Sequence, residues 1–538
     1  MKYLLLLPIF FSLFLMNNVI AQDEFSIAIV PYELNGALNV HSFSWGKTSD
    51  GKWLIIGGRI DGLHQRQPFA AFLESSNNKK VFLIDTENNQ TWNTSLNVLP
   101  ASIYEQLQAT NQEFYQRDNV LYIIGGYGYS ATQDEHLTYS NLTAIDIDGL
   151  ANAIISDSDI TSYFRQITDP NLAVTGGQLG YLNDTFYLCG GQFFEGRYNP
   201  MGPGSGPGFT QEYSDEIRTF KIIDNGNTLS LENYNAIHDT ENLHRRDYNM
   251  APQIFPNGES GFTMFSGVFQ EVTDLPFLNS VNITSSGYTV NNDFNQYLSQ
   301  YHSATIPIFD EQNNRMHTIF FGGMSQFTLD ENENLIEDIN VPFVKTISKV
   351  TRFSDGSMTE SKLDIEMPTL LGSGAEFIPI NNDLFFTEEG IVNLTNLPDG
   401  DTLLGYIYGG IESTQENIFF INNGTQSSAS NQIFKVYINK NILGTEENTI
   451  GTSDIYNVKI FPNPLQNNIT IDLFIPTTDE HTIEVNDLLG RTIKSIKINK
   501  TIGNHSVKID LTNISSGEYI LSIKSNLNYF SNKIIIKQ

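Results

Sequence analysis

The chain reads as all-β: an array of repeated sheets, six by its motifs, followed by a small β-sandwich. Three observations predict this. Short β-branched and aromatic runs ending in glycine recur along most of the chain, a charge discontinuity divides it, and the part beyond breaks into seven short alternating runs. The 538 residues also exceed what one ordinary core serves, which favours a repeat array plus a module.

Residues 1–21 stand apart from the fold. Lys2 precedes the apolar run Leu4–Met16, and Val19-Ile20-Ala21 leads into the acidic Gln22-Asp23-Glu24. A charged start, a short apolar centre and a small residue at the cut predict a secretory signal removed after Ala21. Its 13 apolar positions fall short of the ~20 that a spanning helix needs, and no later segment has that apolar length, so no transmembrane segment is expected after its removal.

The repeats come next. Trp53-Leu-Ile-Ile-Gly-Gly58, Leu121-Tyr-Ile-Ile-Gly-Gly126 and Phe186-Tyr-Leu-Cys-Gly-Gly191 are followed by Phe262-Thr-Met-Phe-Ser-Gly267, Thr318-Ile-Phe-Phe-Gly-Gly323 and Tyr406-Ile-Tyr-Gly-Gly410. Their last glycines lie 68, 65, 76, 56 and 87 residues apart, so one supersecondary unit repeats. Several units carry another strand after the glycines: Val81–Asp85, Leu142–Asp146, Ile217–Lys221 and Ile433–Tyr437. The pattern resembles the kelch repeat, in which a glycine pair ends the second strand of a four-stranded propeller blade. That resemblance implies a six-bladed β-propeller over 22–442, with insertions in most blades because kelch repeats run near ~50 residues. The segment after Gly410, or the strand Phe25–Tyr32, is expected to close the ring with the opposite terminus.

The charge changes near the end. The whole chain carries −31, residues 453–538 carry +1, and the remainder therefore carries −32. The polar stretch 443–453 reads as a linker. Beyond it, about seven strands predict a small sandwich over 454–538. The run Val458-Lys-Ile-Phe-Pro-Asn-Pro464, then Val485-Asn-Asp-Leu-Leu-Gly-Arg491, then Ile514-Ser-Ser-Gly-Glu-Tyr519 and the ending Lys533-Ile-Ile-Ile-Lys537 resembles the type A C-terminal sorting domain of the type IX secretion system of Bacteroidetes. The resemblance implies an immunoglobulin-like sandwich, recognition by that machinery, and release or display outside the outer membrane.

Candidate ligand-binding residues follow from position in a propeller, where loops of several blades meet at one mouth. After the glycines stand Arg59, His64, Tyr127, Tyr129, Phe193, Glu195 and Arg197. Before the glycine strands, where innermost strands start, stand His41, His244-Arg245-Arg246-Asp247-Tyr248 and His302. Aromatic rings beside Arg and Glu can stack on a sugar, and a guanidinium can clamp a carboxylate. For each position, a plain packing or interblade role is the competing reading.

Other classes fail on their motifs. Strong acidity argues against nucleic acid. The lone Cys189 excludes an internal disulfide and multi-cysteine metal sites, and its apolar setting favours burial over a copper-radical cross-link. No zinc-protease, nucleophile-elbow or Walker pattern is present, and the acidic run 330–338 lacks the glycine of a calcium loop. No metal or cofactor is expected and no catalytic residue stands out. The expected function is a secreted or cell-surface propeller binding a glycan, peptide or protein at its mouth. A carbohydrate-active enzyme (epimerase, lyase or glycosidase) is the alternative.

Overall fold

Five of the six glycine motifs close the second strand of an antiparallel sheet, the sixth lies within its strand, and six such sheets circle one axis. The computed structural model describes residues 25–330, 334–440, 458–475, 481–487, 491–498, 503–512, 514–524 and 529–537. The predicted signal at 1–21 and linker at 443–453 lie outside them.

The first blade is Ser44–Lys47, Trp53–Ile56, Lys80–Asp85 and Gln90–Ser95. The second is Glu113–Arg117, Val120–Ile124, Asn141–Asp146 and Phe164–Thr168; the third is Gln178–Leu182, Thr185–Cys189, Glu216–Asp224 and Leu229–His238. Asn249–Ile254, Ser260–Phe265, Ser280–Thr284 and Gly287–Asn291 make the fourth. Thr305–Asp310, Arg315–Phe321, Thr346–Arg352 and Met358–Glu366 make the fifth. The sixth joins both ends of the propeller: Leu370–Pro379, Gly400–Ser413 and Ile433–Lys440 are completed by Phe25–Tyr32, paired antiparallel to Ile433–Lys440. The second strands are apolar on both faces because each lies between two blades.

Six separate apolar clusters fill the six interfaces. Leu54 and Ile56 meet Leu121 and Ile123 between the first two blades, and Phe25, Ile306, Ile347 and Val436 meet between the last two. Trp53 and Ile55 against Tyr406 and Tyr408 close the circle. The glycine pairs are part of the same joints. The second glycine donates its N–H to the entry segment of the next blade: Gly58 to Ala109 O, Gly126 to Val174 O, Gly191 to Arg245 O, Gly323 to Leu371 O and Gly410 to Val40 O. A side chain on Gly125, where φ is +63°, would overlap Val174 O, so bulk and backbone angle both demand glycine there.

Hydrogen bonds also close at the hub. Ser42 N donates to Gly374 O, Asn111 N to Ser42 O, Gly176 N to Asn111 O, Asp247 N to Gly176 O, His302 N to Asp247 O and Gly374 N to His302 O. One residue per blade thus forms a cyclic ring of six backbone bonds of 2.7–3.3 Å around the axis.

One element was not foreseen. The loops after the second and third glycine pairs form hairpins, Tyr127–Ser130 with Glu135–Thr138 and Gln192–Gly196 with Phe209–Tyr213, and these join into an extra four-stranded sheet. Beyond the propeller, Lys459–Phe461, Asn468–Ile475 and Gly503–Asp510 form one sheet. Thr492–Ile498, His481–Asp487, Gly517–Lys524 and Tyr529–Ile536 form another, over a core that includes Ile471, Val485 and Leu521. These seven strands are the sandwich predicted from the alternating runs. Among the described residues no helix is long and apolar enough to cross a membrane.

Candidate functional site

The hub ring divides the axis into two environments. On the loop side, the residue before each ring residue pairs with the residue after the glycines: His41 with Arg59, Thr110 with Tyr127, Thr175 with Gln192, Arg246 with Val268. On the other side the innermost strands run away from the loops and enclose a cavity of about 70 Å³. Its wall residues all lie at the ring or just beyond it, among them Asn111, Glu113, Gln178, Asp247, His302 and Glu376.

The cavity is polar and charged. His302 Nε2 stands 3.2 Å from Glu376 Oε1, and Trp45 Nε1 donates to Glu376 Oε2 at 3.3 Å. Asn111 Nδ2 donates to Asp247 Oδ1 at 2.9 Å, crossing the side-chain-free Gly176, and Arg246 pairs with the other Asp247 oxygen. Glu113 takes the N–H of Gly177 at 2.8 Å on one oxygen. Its other oxygen is buried and makes no hydrogen bond. Burial raises the Glu113 carboxyl well above the usual range against the pull of Gly177 N–H, and the Asp247 charge adds to the rise. Burial alone would lower the His302 pKa, but the adjacent Glu376 more than offsets it and the net shift is upward. Trp45 and Phe114, ring centroids 6.0 Å apart, stand on adjacent innermost strands beside these groups.

Of the residues singled out in the sequence, Asp247 and His302 reach this cavity. The loop side gathers several others, most of them satisfied by protein. Arg59 is 2% exposed, doubly bonded to Asp61 at 2.8 and 2.6 Å and bonded to Asn77 at 2.9 Å. His64 packs against Phe72, Tyr198 and Phe419, and burial lowers its pKa to about 4. His41 is 5% exposed and likewise lowered to about 4, so both imidazoles are neutral. Tyr127 donates its hydroxyl to Gly196 O at 2.8 Å and Tyr129 to Asp134 at 2.5 Å. Phe193, Glu195 and Arg197 sit on or beside the extra sheet, with Glu195 exposed and facing no cavity wall named above. His244 bonds Asp215 at 2.7 Å and stacks on Tyr213 at 3.8 Å, while Arg246 Nε donates to the Tyr213 hydroxyl at 3.0 Å.

Two of the candidates lie away from the cavity. Arg245 and Tyr248 are wholly buried and neither forms part of its wall. Arg245 gives its protons to Asn242 O, Ser266 O and Asn279 with its plane 4.0 Å from the Phe277 centroid, and Tyr248 donates to Cys189 O at 2.7 Å. The Tyr248 bond ties the fourth blade to the third, whereas the side-chain bonds of Arg245 all stay within the segments of the fourth blade. Cys189 is wholly buried, and burial pushes its thiol up.

Glu113, Glu376, Trp45 and Phe114 were missed. A fixed offset does not find them: Asp247 and His302 stand 20 and 21 residues before Gly267 and Gly323, whereas Asn111 and Glu113 stand 15 and 13 before Gly126. In the sixth repeat the insertion before Gly400–Ser413 stretches the distance further, and Glu376 stands 34 residues before Gly410.

Comparison with known proteins addresses the far end of the chain. Residues 459–537 match the family model of the secretion system C-terminal sorting domain. The chain carries a type IX export address. Its destination is therefore the cell surface or the medium, and its C-terminal sandwich is what the secretion machinery recognises. No kelch-repeat model matches the blades, and no curated protein matches the chain. Among solved structures, that of YjhT aligns at 11% identity with a TM-score of 0.40, covering 73% of this chain and 98% of the other. A fungal alcohol oxidase of the AA5 family, in complex with copper, aligns at 8% identity with a TM-score of 0.37, covering 96% of this chain and 100% of the other. Likeness at this level says nothing about chemistry.

Proposed function

We propose that the exported chain is a kelch-like propeller that binds a small hydroxylated ligand, such as a glycan terminus, in the axial cavity beneath the hub ring. The observation that carries this reading is a buried carboxyl oxygen of Glu113 that has no hydrogen-bond partner, beside a cavity walled by Asp247 and the paired His302 and Glu376. Buried polar atoms left without partners in a native protein call for water or ligand. Carboxylates, an amide and an imidazole accept and donate to hydroxyls, and Phe114 of the cavity wall supplies an apolar face for a sugar's C–H side.

The test is a glycan array probed with the exported chain, repeated with Glu376→Gln and His302→Ala. A hit lost in both variants, with the melting temperature kept, supports the cavity. Retention in both would place the site elsewhere.

The raised Glu113 carboxyl favours a second reading, a carbohydrate-active enzyme. Two carboxyl groups whose surroundings differ, one pushed up by burial and one paired with Arg246, are the kind of set that acid–base chemistry uses. Product formation from the bound glycan, abolished by Asp247→Asn, distinguishes turnover from binding alone.

A further inference from the structure

The loops on the glycine side carry a feature that ligand binding in the axial cavity does not use. Fourteen large hydrophobic side chains of the propeller are exposed, and nine of them lie on the segments between second and third strands, all at one end of the ring. Val272 is 93% exposed, Phe69 75%, Ile339 67%, Phe420 60% and Ile421 53%. Single exposed apolar residues need no explanation, but a concentration on one end of a molecule marks an interaction surface.

These tips are held in place. Asn422 Nδ2 donates to Leu63 O at 2.6 Å, joining the sixth-blade loop to the first. Asn417 Nδ2 donates to Asp338 Oδ2 at 2.8 Å, joining it to the fifth. Phe72 of the first loop packs on Tyr127 and Tyr198 of the second and third, at ring centroids 5.3 and 5.6 Å apart. The result is a roof of linked loops over the ring, with its apolar tips pointing away from the packed interior. A preformed face loses little side-chain and loop entropy on docking.

Charge decides the occupant. Among the described residues these loops hold thirteen Asp and Glu against five Lys and Arg. A second copy would bring the same charge, and an anionic lipid surface would be repelled as well. We propose that the loop face docks a basic, apolar segment of another protein, with Val272, Ile339 and Phe420 as anchors and the surrounding carboxylates as the steering field.

The experiment uses the full exported chain against an immobilised peptide of alternating Lys and Leu. A Glu/Leu peptide and phosphatidylglycerol vesicles are run alongside, and sedimentation velocity reports the free chain. The triple variant Val272→Ser/Ile339→Ser/Phe420→Ser alters only exposed positions, so its melting temperature is expected to match wild type. The expected result is salt-sensitive binding of the Lys/Leu peptide, weakened about tenfold or more in the triple variant. Equal binding by that variant would reduce the effect to general attraction by an acidic protein and overturn the proposal. Binding to the vesicles or the Glu/Leu peptide, or self-association lost in the variant, would overturn it in favour of another occupant.

Discussion

Replacing Gly125 by Ala tests the joint that builds the ring, with Gly390→Ala as its internal control. Both glycines have positive φ, +63° and +82°, so both alanines carry the left-handed backbone cost of about 1 kcal/mol. Around Gly390 a Cβ meets nothing within 4 Å, and backbone strain is its whole penalty. At Gly125 the Cβ overlaps Val174 O, the same oxygen that accepts Gly126 N–H at 2.8 Å. The overlap is relieved only by moving the third blade's entry segment, which adds overpacking of about 1–3 kcal/mol and weakens a bond worth about 1 kcal/mol. Gly125→Ala is therefore expected to cost about 3–5 kcal/mol, and Gly390→Ala about 1 kcal/mol. Tryptophan fluorescence in urea reads this cleanly, because all three tryptophans, Trp45, Trp53 and Trp92, belong to the first blade and none to the sandwich. Equal midpoints for the two variants would refute the claim that interblade contact, rather than backbone angle, fixes the glycine pairs.

Other outcomes follow from the same contacts. Phe25, 4% exposed in the closing strand, should cost about 3 kcal/mol when changed to Ala, and deleting Phe25–Tyr32 should bare the Ile433–Lys440 edge and produce oligomers on size exclusion. Arg245→Ala strands Ser266 O and Asn279 O in the buried interior of the fourth blade and should lower the stability read by fluorescence by about 3 kcal/mol, with Lys in its place restoring only part. Glu360 accepts Tyr297 N and Leu298 N, and burial pushes its carboxyl up to about 8. The folded chain keeps this proton where the unfolded chain has lost it. Its contribution to stability therefore falls as pH rises from about 4.5 to about 8, and Glu360→Gln should flatten that part of the stability–pH curve in urea titrations.

The blades were legible because a strand between two neighbours must be apolar on both faces and must end where the next blade crowds it. Trp53–Ile56 and Thr185–Cys189 satisfy both demands locally, in consecutive residues. The sandwich was legible for a related reason, since alternation such as His481–Asp487 needs only one buried face. The extra sheet was not legible. Its strands are short, and the hairpins of two blades touch through contacts such as Thr138 Oγ1 to Phe194 O at 2.9 Å that no local pattern encodes.

The same division governs the site. Sequence alone marked Asp247 and His302, because unusual polar residues stood just before recurrent glycines. It also marked Arg245 and Tyr248, which share that segment but are buried, Arg245 inside the fourth blade and Tyr248 against the third. Adjacent residues on an innermost strand face alternately toward hub and neighbour, and only the closed ring shows which is which. Glu113 and Glu376, more than 260 residues apart, meet one cavity through ring closure alone. The export address, by contrast, needed no tertiary structure, since its motifs are contiguous and read along the chain. Local backbone demands are written residue by residue. The converging carboxyl groups at the hub exist only once six blades share an axis.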